Sequence, residues 1–162
     1  MNNTVVSILM GSESDFPVMK FCCETLKEFQ VFYNVRVLSA HRTPYELNTY
    51  ITSEENQGIK VFIAGAGGAA HLAGVIAAHT VLPVIGIPLA AGQLQGFDSL
   101  LSTVQMPKGI PVATVAVGKP GAINAAYLAM QIIGLERKDL LEKIREKRAT
   151  VAAAIKEIRL EE

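Results

Sequence analysis

The strongest constraint on the fold is a regular alternation of short apolar strand patterns with longer helical patterns. Apolar or alternating segments begin near residues 4, 33, 61, 84 and 112, and helically spaced apolar residues follow each of them. Each interval accommodates one strand–helix unit, and such units join parallel strands. The pattern predicts a doubly wound, three-layer αβα fold (flavodoxin-like), with about five parallel strands and helices on both faces.

The bounds of the predicted elements follow from these patterns. The strands cover residues 4–10, 33–38, 60–64, 84–87 and 112–117. The helices cover residues 16–29, 43–56, 69–79, 97–105 and 122–133. We expect a single domain over residues 1–162, with an αβα core in residues 1–135 and a C-terminal helix in residues 136–162.

The C-terminal helix differs from the core in its charge. Residues 136–162 contain 15 of the 30 charged residues of the chain. An apolar stripe also runs along this helix, formed by Leu141, Ile144, Val151, Ile155 and Ile158. Two interpretations stay open: the helix packs on its own sheet, or it covers a neighbouring subunit of an oligomer.

The composition argues against several kinds of partner. Lys plus Arg and Asp plus Glu both number 15, so the charge gives no reason to expect nucleic acid or an anionic membrane. Residues 61–97 carry no charged side chain, but glycines and two prolines interrupt them, which argues against a transmembrane helix. The N-terminus shows no signal-peptide pattern, and the adjacent Cys22 and Cys23 suit a reducing compartment. We therefore expect a cytoplasmic protein.

The loops after the first two predicted strands carry candidate binding residues, because ligands of such sheets bind at the carboxyl ends of the strands. The first loop, GSESD at residues 11–15, offers Ser12, Ser14 and Asp15 at a helix N-terminus, where phosphate binds well, although helix capping alone also explains these residue types. The second loop, SAHRTP at residues 39–44, offers His41 and Arg42. Arginine binds phosphate through two parallel hydrogen bonds, and histidine exchanges protons near neutral pH. A solvated loop is the alternative.

The loop after the third predicted strand is rich in glycine. Its sequence, AGAGGAAH at residues 64–71, matches the G-x-G-x-x-A dinucleotide fingerprint only weakly, since it is not on the first strand and no acidic residue follows at the required distance. Such a loop still lets the backbone approach a flat ligand. His71, placed one turn into the next helix, points at the site or packs. No His, Cys and carboxylate set has the spacing of a metal site.

Four motifs together identify a resemblance to a known family. MGSESD, SAHRTP, AGAGGAAHL and DSLLSTVQMPKGIPVATVAVGKPGAINAA occur in this order between about residues 5 and 133. They resemble the 5-(carboxyamino)imidazole ribonucleotide mutases, and the SAHR form is typical of mutases, whereas SAHK is typical of relatives that use free CO2. The resemblance implies an isomerase of IMP biosynthesis that moves a carboxyl group from the exocyclic nitrogen of its substrate to ring carbon 4.

The resemblance also implies roles for individual residues. His41 corresponds to the proton-transfer histidine, and the substrate-binding positions are Ser12, Ser14, Asp15, Ser39, Ala40, Arg42, Gly65, Ala66, Gly67, Gly68 and His71. It implies no metal, no organic cofactor, and a homo-octamer with sites at subunit contacts. A carbamate-forming synthetase is the implied supplier of the ribonucleotide substrate.

One position departs from the family pattern. The family often has a serine where this chain has Ala91, so we leave the loop at residues 90–95 out of the predicted binding set. Two other functions stay open on the sequence. One is a carboxylase that uses free CO2, and the other is a flavodoxin-like nucleotide-binding module without catalysis.

Overall fold

The computed structural model describes residues 4–160 and confirms the doubly wound fold. The strands are β1 (Val6–Met10), β2 (Tyr33–Val37), β3 (Val61–Gly67), β4 (Val84–Leu89) and β5 (Ala113–Thr114). The helices are α1 (Phe16–Glu28), α2 (Pro44–Asn56), α3 (Leu72–His79), α4 (Phe97–Val104), α5 (Lys119–Ile133) and α6 (Lys138–Lys156). All neighbouring strands pair in parallel, in the order β2-β1-β3-β4-β5.

Two apolar layers hold the helices onto this sheet. All five residues of β1 are buried, as expected for a strand covered on both faces. On one face, α1 and α5 pack against the sheet, and Met19 and Leu26 of α1 are fully buried there. On the other face, α2 and α3 cover β1, β3 and β4, and Leu47 and Ile76 lie in this second core. The central strands are therefore covered on both faces, and the edge strand β2 is only partly buried.

Several element bounds differ from the predicted ones. Strand β3 continues through Gly67 instead of ending at residue 64, so much of the predicted glycine-rich loop is strand. The strand can continue here because these two residues are glycines. A Cβ on Gly65 would overlap the sulfur of Met19, and one on Gly67 would lie 2.6 Å from the Cβ of Ala91. Strand β5 has only two residues, and α3 begins at Leu72. The prediction that His71 lies one turn into the helix is wrong, because His71 is the N-cap residue.

Helix α6 packs on the core with its first half only. Leu140 and Ile144 are buried against the α1–α5 side of the fold, whereas Leu141, which we placed in the apolar stripe, is half-buried. Farther along, Val151 and Ile155 are 47% and 61% exposed. The first half of the helix thus follows the first interpretation, and the second half leaves its apolar stripe uncovered within the protomer. Within residues 4–160, no helix is both long and apolar enough to cross a membrane.

Candidate active site

The predicted loops meet at the carboxyl ends of the strands and line one cavity of about 320 Å³. Strand β2 lies on one side of β1, and β3 lies on the other side. The order of the strands therefore reverses between β1 and β3, and such a topological switch point is where these sheets bind ligands. The cavity lies beside this point. Its lining residues are Gly11, Ser12, Asp15, Ser39, Ala40, His41, Arg42, Ala66, Gly67, Ala69, His71, Leu72 and Ala91.

The first loop is folded by hydrogen bonds between its own residues. The Ser12 backbone N–H donates to Oδ2 of Asp15 at 3.0 Å, and the Ser14 hydroxyl donates to Oγ of Ser12 at 2.9 Å. Ser12 is the N-cap of a single 3₁₀ turn, Glu13–Asp15, that leads into α1. Burial raises the pKa of the Asp15 carboxyl, and backbone N–H groups and Arg42 oppose this rise. The loop therefore presents hydroxyls and a carboxyl in a fixed arrangement.

The second loop is organised around the side chain of Ser39. Its hydroxyl oxygen accepts hydrogen bonds from the backbone N–H groups of His41 and Arg42, at 3.3 and 3.2 Å. Nη2 of Arg42 donates to the carbonyl oxygen of Gly11 at 2.8 Å and so ties the second loop to the first. Thr43 closes the turn, since its hydroxyl donates to the Ser39 carbonyl and accepts from the Ser39 N–H. These contacts place His41 and Arg42 on the cavity wall. Arg42 contacts the first loop, and His41 contacts a different partner.

Two histidines meet across the cavity. Nε2 of His41 lies 2.8 Å from Nδ1 of His71, within hydrogen-bond distance. The two rings are nearly perpendicular, at 87°, with centroids 4.9 Å apart. His41 comes from the loop after β2 and His71 from the N-cap of α3, so the pair joins residues that are 30 positions apart in the chain. A side chain that exchanges protons near neutral pH and lies on a cavity wall can act there as a general acid or base.

The third and fourth loops form the apolar wall of the cavity. Gly67 and Ala66 end β3, and Ala91 lies directly against Gly67. Leu72 begins α3 and also borders the cavity. One end of the cavity is therefore polar, near the first loop and Arg42, and the other end is lined by small apolar groups beside the histidine pair.

The structure brings most of the predicted site residues together. Those that line the cavity are Ser12, Asp15, Ser39, Ala40, His41, Arg42, Ala66, Gly67 and His71. Ser14, Gly65 and Gly68 do not line it: the Ser14 hydroxyl bonds to Ser12, Gly65 is buried against Met19, and Gly68 forms a turn with φ of 61°.

Sequence reasoning missed four lining residues. Gly11 contributes a backbone carbonyl, and Ala69, Leu72 and Ala91 contribute small or apolar surfaces. We left the loop of Ala91 out because its expected serine is missing, yet Ala91 lies in the wall. None of these residue types carries a chemical signal in a sequence, because their role depends only on position.

A larger cavity of about 800 Å³ lies at the opposite edge of the sheet. It is bordered by the ends of α2 and α3 and by the start of β4, and His79 and Glu55 are its titratable residues. It lies at the amino ends of the strands, away from the four loops. Among residues 4–160, no group of three or more His, Cys, Asp or Glu side chains is arranged to hold a metal ion. The smaller cavity is therefore the candidate active site.

Comparison with known proteins identifies the family of the chain. A sequence profile of the family described as AIR carboxylase matches residues 5–154 of the chain. The chain belongs to the AIR carboxylase family. The matched region includes all four loops of the cavity and most of α6.

Individual members of the AIR carboxylase family are similar over most of the chain. A protein of Pyrococcus abyssi named N5-carboxyaminoimidazole ribonucleotide mutase is 54% identical over 143 residues, 88% of this chain and 81% of that protein. The protein of the same name from Bacillus subtilis is 51% identical over 153 residues, 94% of each chain. The crystal structure of Treponema denticola PurE superposes with a TM-score of 0.86 at 29% identity and covers 95% of each chain.

Proposed function

We propose that the chain is an isomerase of de novo IMP biosynthesis, in which His41 carries the proton. It moves the carboxyl group of 5-carboxyaminoimidazole ribonucleotide from the exocyclic nitrogen to carbon 4 of the imidazole ring. The mutases of P. abyssi and B. subtilis, at 54% and 51% identity, support the reaction. The observation that supports the role of His41 is its position between the polar and apolar ends of one cavity.

The polar end suits the ribose 5′-phosphate of the substrate. Ser12 and its neighbours precede α1, and the first turn of a helix attracts anions. Arg42 offers a planar set of N–H donors, of which Nη2 already contacts the first loop. Asp15 would oppose the phosphate but accepts hydrogen bonds from ribose hydroxyls. We assign the phosphate to Arg42 and the serines, and the ribose to Asp15.

The reaction then proceeds in three steps that conserve protons. His41, as the imidazolium, donates a proton to the carbamate nitrogen, the bond from that nitrogen to the carboxyl carbon breaks, and CO2 forms. Carbon 4 of the electron-rich aminoimidazole ring attacks CO2 and forms the new carbon–carbon bond. His41, now neutral, removes the proton from carbon 4 and restores the aromatic ring. One residue performs both transfers because it ends each cycle in its starting state.

The apolar wall accounts for the fate of the CO2. Ala66, Gly67, Leu72 and Ala91 surround the end of the cavity near the histidine pair. None of these side chains has a hydrogen-bonding group, so that end holds an apolar molecule more readily than water. Small side chains also let the cavity close around the ring and CO2 together. Retention of CO2 is what separates an isomerase from an enzyme that draws CO2 from solution.

We further propose that the enzyme is a cytoplasmic homo-octamer that receives its substrate from the carbamate-forming synthetase. His41, Arg42 and His71 are exposed in the single protomer, so a neighbouring copy is the simplest means of enclosing the cavity. The uncovered half of α6 offers an apolar surface for the same assembly, since Ile155 is 61% exposed, and Ile158, just beyond the end of the helix, is 62% exposed. Surfaces of this kind commonly mark subunit contacts.

The decisive test supplies 5-carboxyaminoimidazole ribonucleotide to the pure protein and separates the isomeric product by chromatography. Parental protein should convert the carbamate, whereas His41→Asn should bind substrate within a few-fold of the parent and turn over about 10² times more slowly, or worse. His79→Asn is the matched control, because His79 lines only the larger cavity, and it should behave like the parent. Near-parental turnover by His41→Asn would falsify the role of His41.

A second arm separates the isomerase from the two other candidate functions. The same protein is given aminoimidazole ribonucleotide with dissolved CO2 in place of the carbamate. Faster conversion in this arm than with the carbamate would identify a carboxylase. Substrate binding without conversion in either arm would identify a nucleotide-binding module. Conversion of the carbamate that exceeds conversion from dissolved CO2 supports the isomerase.

A further inference from the structure

The contact between the two site histidines restricts which nitrogen of His41 can exchange protons. Nε2 of His41 and Nδ1 of His71 are 2.8 Å apart, so one of them carries a hydrogen and the other accepts it. Two arrangements satisfy this requirement. Either Nδ1 of His71 donates to Nε2 of His41, or Nε2 of His41 donates to Nδ1 of His71.

In the first arrangement His41 cannot act as a general acid or base without a proton change at His71. Its Nε2 would accept a hydrogen bond, so neutral His41 would carry its one hydrogen on Nδ1. Loss of that hydrogen would leave an imidazolate anion, which does not form near neutral pH. Gain of a second hydrogen would have to occur at Nε2, where His71 already donates. This arrangement allows proton exchange only if the contact between the rings breaks, or if the Nδ1 proton of His71 moves to His41 so that both rings change together. It therefore needs a second proton-exchanging group, which the other arrangement does not.

In the second arrangement His41 exchanges protons without breaking the contact. Nε2 of His41 keeps its hydrogen and donates to His71 whether the ring is neutral or charged, and the bond strengthens when the ring is charged. Nδ1 of His41 is then the nitrogen that gains and loses the proton. Among residues 4–160, no group makes a hydrogen bond to this nitrogen, so it is available to the substrate.

The backbone of His71 is held independently of this contact. Its N–H donates to the carbonyl of Ala69 at 2.8 Å, and its carbonyl accepts from the N–H of Val75 at 2.9 Å as α3 begins. The His71 ring therefore stands on the end of a helix, whereas His41 is in a loop. A residue anchored at the start of a helix is suited to orient a partner that lies in a loop.

We propose that His41 transfers the proton through Nδ1 and that His71 is the positioning residue that keeps Nε2 of His41 protonated. The inference rests on the proposed function, in which His41 carries the proton. The proton starts on Nδ1 of His41 and passes to the carbamate nitrogen as its bond to the carboxyl carbon breaks. It returns to Nδ1 from carbon 4 after the carbon–carbon bond has formed, and the hydrogen on Nε2 never leaves.

The test combines spectroscopy with a pair of His71 variants. Protein labelled with ¹⁵N in its histidine rings is examined by two-bond ¹H–¹⁵N correlation, which identifies the protonated nitrogen of each neutral ring. His41→Asn, His71→Asn and His79→Asn assign the signals. We expect hydrogen on Nε2 of both His41 and His71. His71→Leu should make His41 a mixture of the two neutral forms, and His71→Asn, whose amide oxygen replaces the accepting Nδ1, should restore the single form.

Turnover of the same variants completes the test. His71→Leu should lower kcat roughly 10- to 100-fold, the scale for losing a group that orients a catalytic histidine, with KM nearly unchanged. His71→Asn should recover most of kcat. Parental kcat in His71→Leu, or a His41 signal with its hydrogen on Nδ1, would overturn the inference.

The failure of this inference can be told apart from failure of the proposed function. Inactive His41→Asn together with fully active His71→Leu removes only the role of His71. Active His41→Asn removes the proposed role of His41 itself. The spectrum of the parental protein needs no variant beyond signal assignment, so a folding defect in His71→Leu would leave the tautomer test intact.

Discussion

Substitution of Gly67 by alanine should damage the site through one identifiable contact. Gly67 is the last residue of β3 and pairs with Leu89 of β4. A Cβ at position 67 would lie 2.6 Å from the Cβ of Ala91 and 3.3 Å from the carbonyl oxygen of Leu89. Carbon atoms in contact prefer about 3.5–4.0 Å, so the loop that carries Ala91 must retreat by about 1 Å. Because Ala91 lines the cavity, this retreat opens the apolar wall.

The expected magnitude combines two opposing effects. Forcing an extra methyl into a packed contact costs about 1–3 kcal/mol. Replacing glycine by alanine lowers the entropy of the unfolded chain and returns about 0.4–1 kcal/mol, since the φ of Gly67 is not in the left-handed region. The net loss should be about 1 kcal/mol, which lowers Tm by roughly 2–4 °C in a chain of this size. A displacement of about 1 Å at a catalytic wall should lower kcat/KM up to about 10²-fold.

The double variant Gly67→Ala with Ala91→Gly tests the mechanism. Removing the methyl at position 91 clears the shortest contact and leaves only the 3.3 Å approach to the Leu89 carbonyl. We expect the double variant to recover most of the Tm and kcat/KM that Gly67→Ala loses, with Ala91→Gly alone as the control. If the double variant is as impaired as Gly67→Ala, or if Gly67→Ala matches the parent in both measurements, the steric argument is refuted.

Three further predictions address binding, pH and assembly. Arg42→Lys keeps the charge but loses the planar donor set, so calorimetry should show substrate binding weakened at least about tenfold, roughly 1.4 kcal/mol; an unchanged Kd removes Arg42 from the phosphate site. Burial raises the pKa of Asp15, so its contribution to stability is present below its ordinary value of 3.8 and is lost as the pH rises through the folded-state pKa. In urea titrations the unfolding free energy of Asp15→Asn should therefore lack the part of the loss that Asp15 contributes as the pH rises above 3.8, and a pH profile identical to that of the parent would contradict this. If the proposed oligomer forms through the exposed stripe of α6, Ile155→Glu should break it in sedimentation while the neighbouring Lys156→Glu leaves it intact. Identical assemblies would show that the stripe is not a subunit contact.

The sequence predicted the architecture because local patterns determine it. The strand and helix periods gave five strands and the helices between them in the correct order, and the parallel arrangement follows from strand–helix–strand connections. The predicted element bounds are least accurate where tertiary packing, and not the local sequence pattern, decides the structure. The pattern predicted Gly65 and Gly67 as loop residues, yet they belong to β3. Met19 and Ala91 pack so closely against them that these strand positions have no room for a side chain.

The candidate site was predictable in its residue types but not in its contacts. His41 and Arg42 were candidates because residues after a strand lie at the ligand edge of a parallel sheet, and the resemblance to the mutases then implied their roles. Ala91 was left out because the serine of the family pattern is missing there, and its place in the wall depends on where Gly67 lies. Leu140 is buried, whereas Leu141 is only half-buried. This difference depends on the angle at which α6 meets the core, and the apolar stripe of the helix does not define that angle.

The sequence by itself determined the fold class, the loops that carry chemistry and the family, since each depends on residues that are close together in the chain. Only the tertiary structure decided the strand order β2-β1-β3-β4-β5, which places the loops after β1, β2 and β3 side by side. That order brings Nε2 of His41 to 2.8 Å from Nδ1 of His71. The physical reason is that strand pairing and ring-to-ring distances arise from contacts between distant segments, and no local periodicity encodes such contacts.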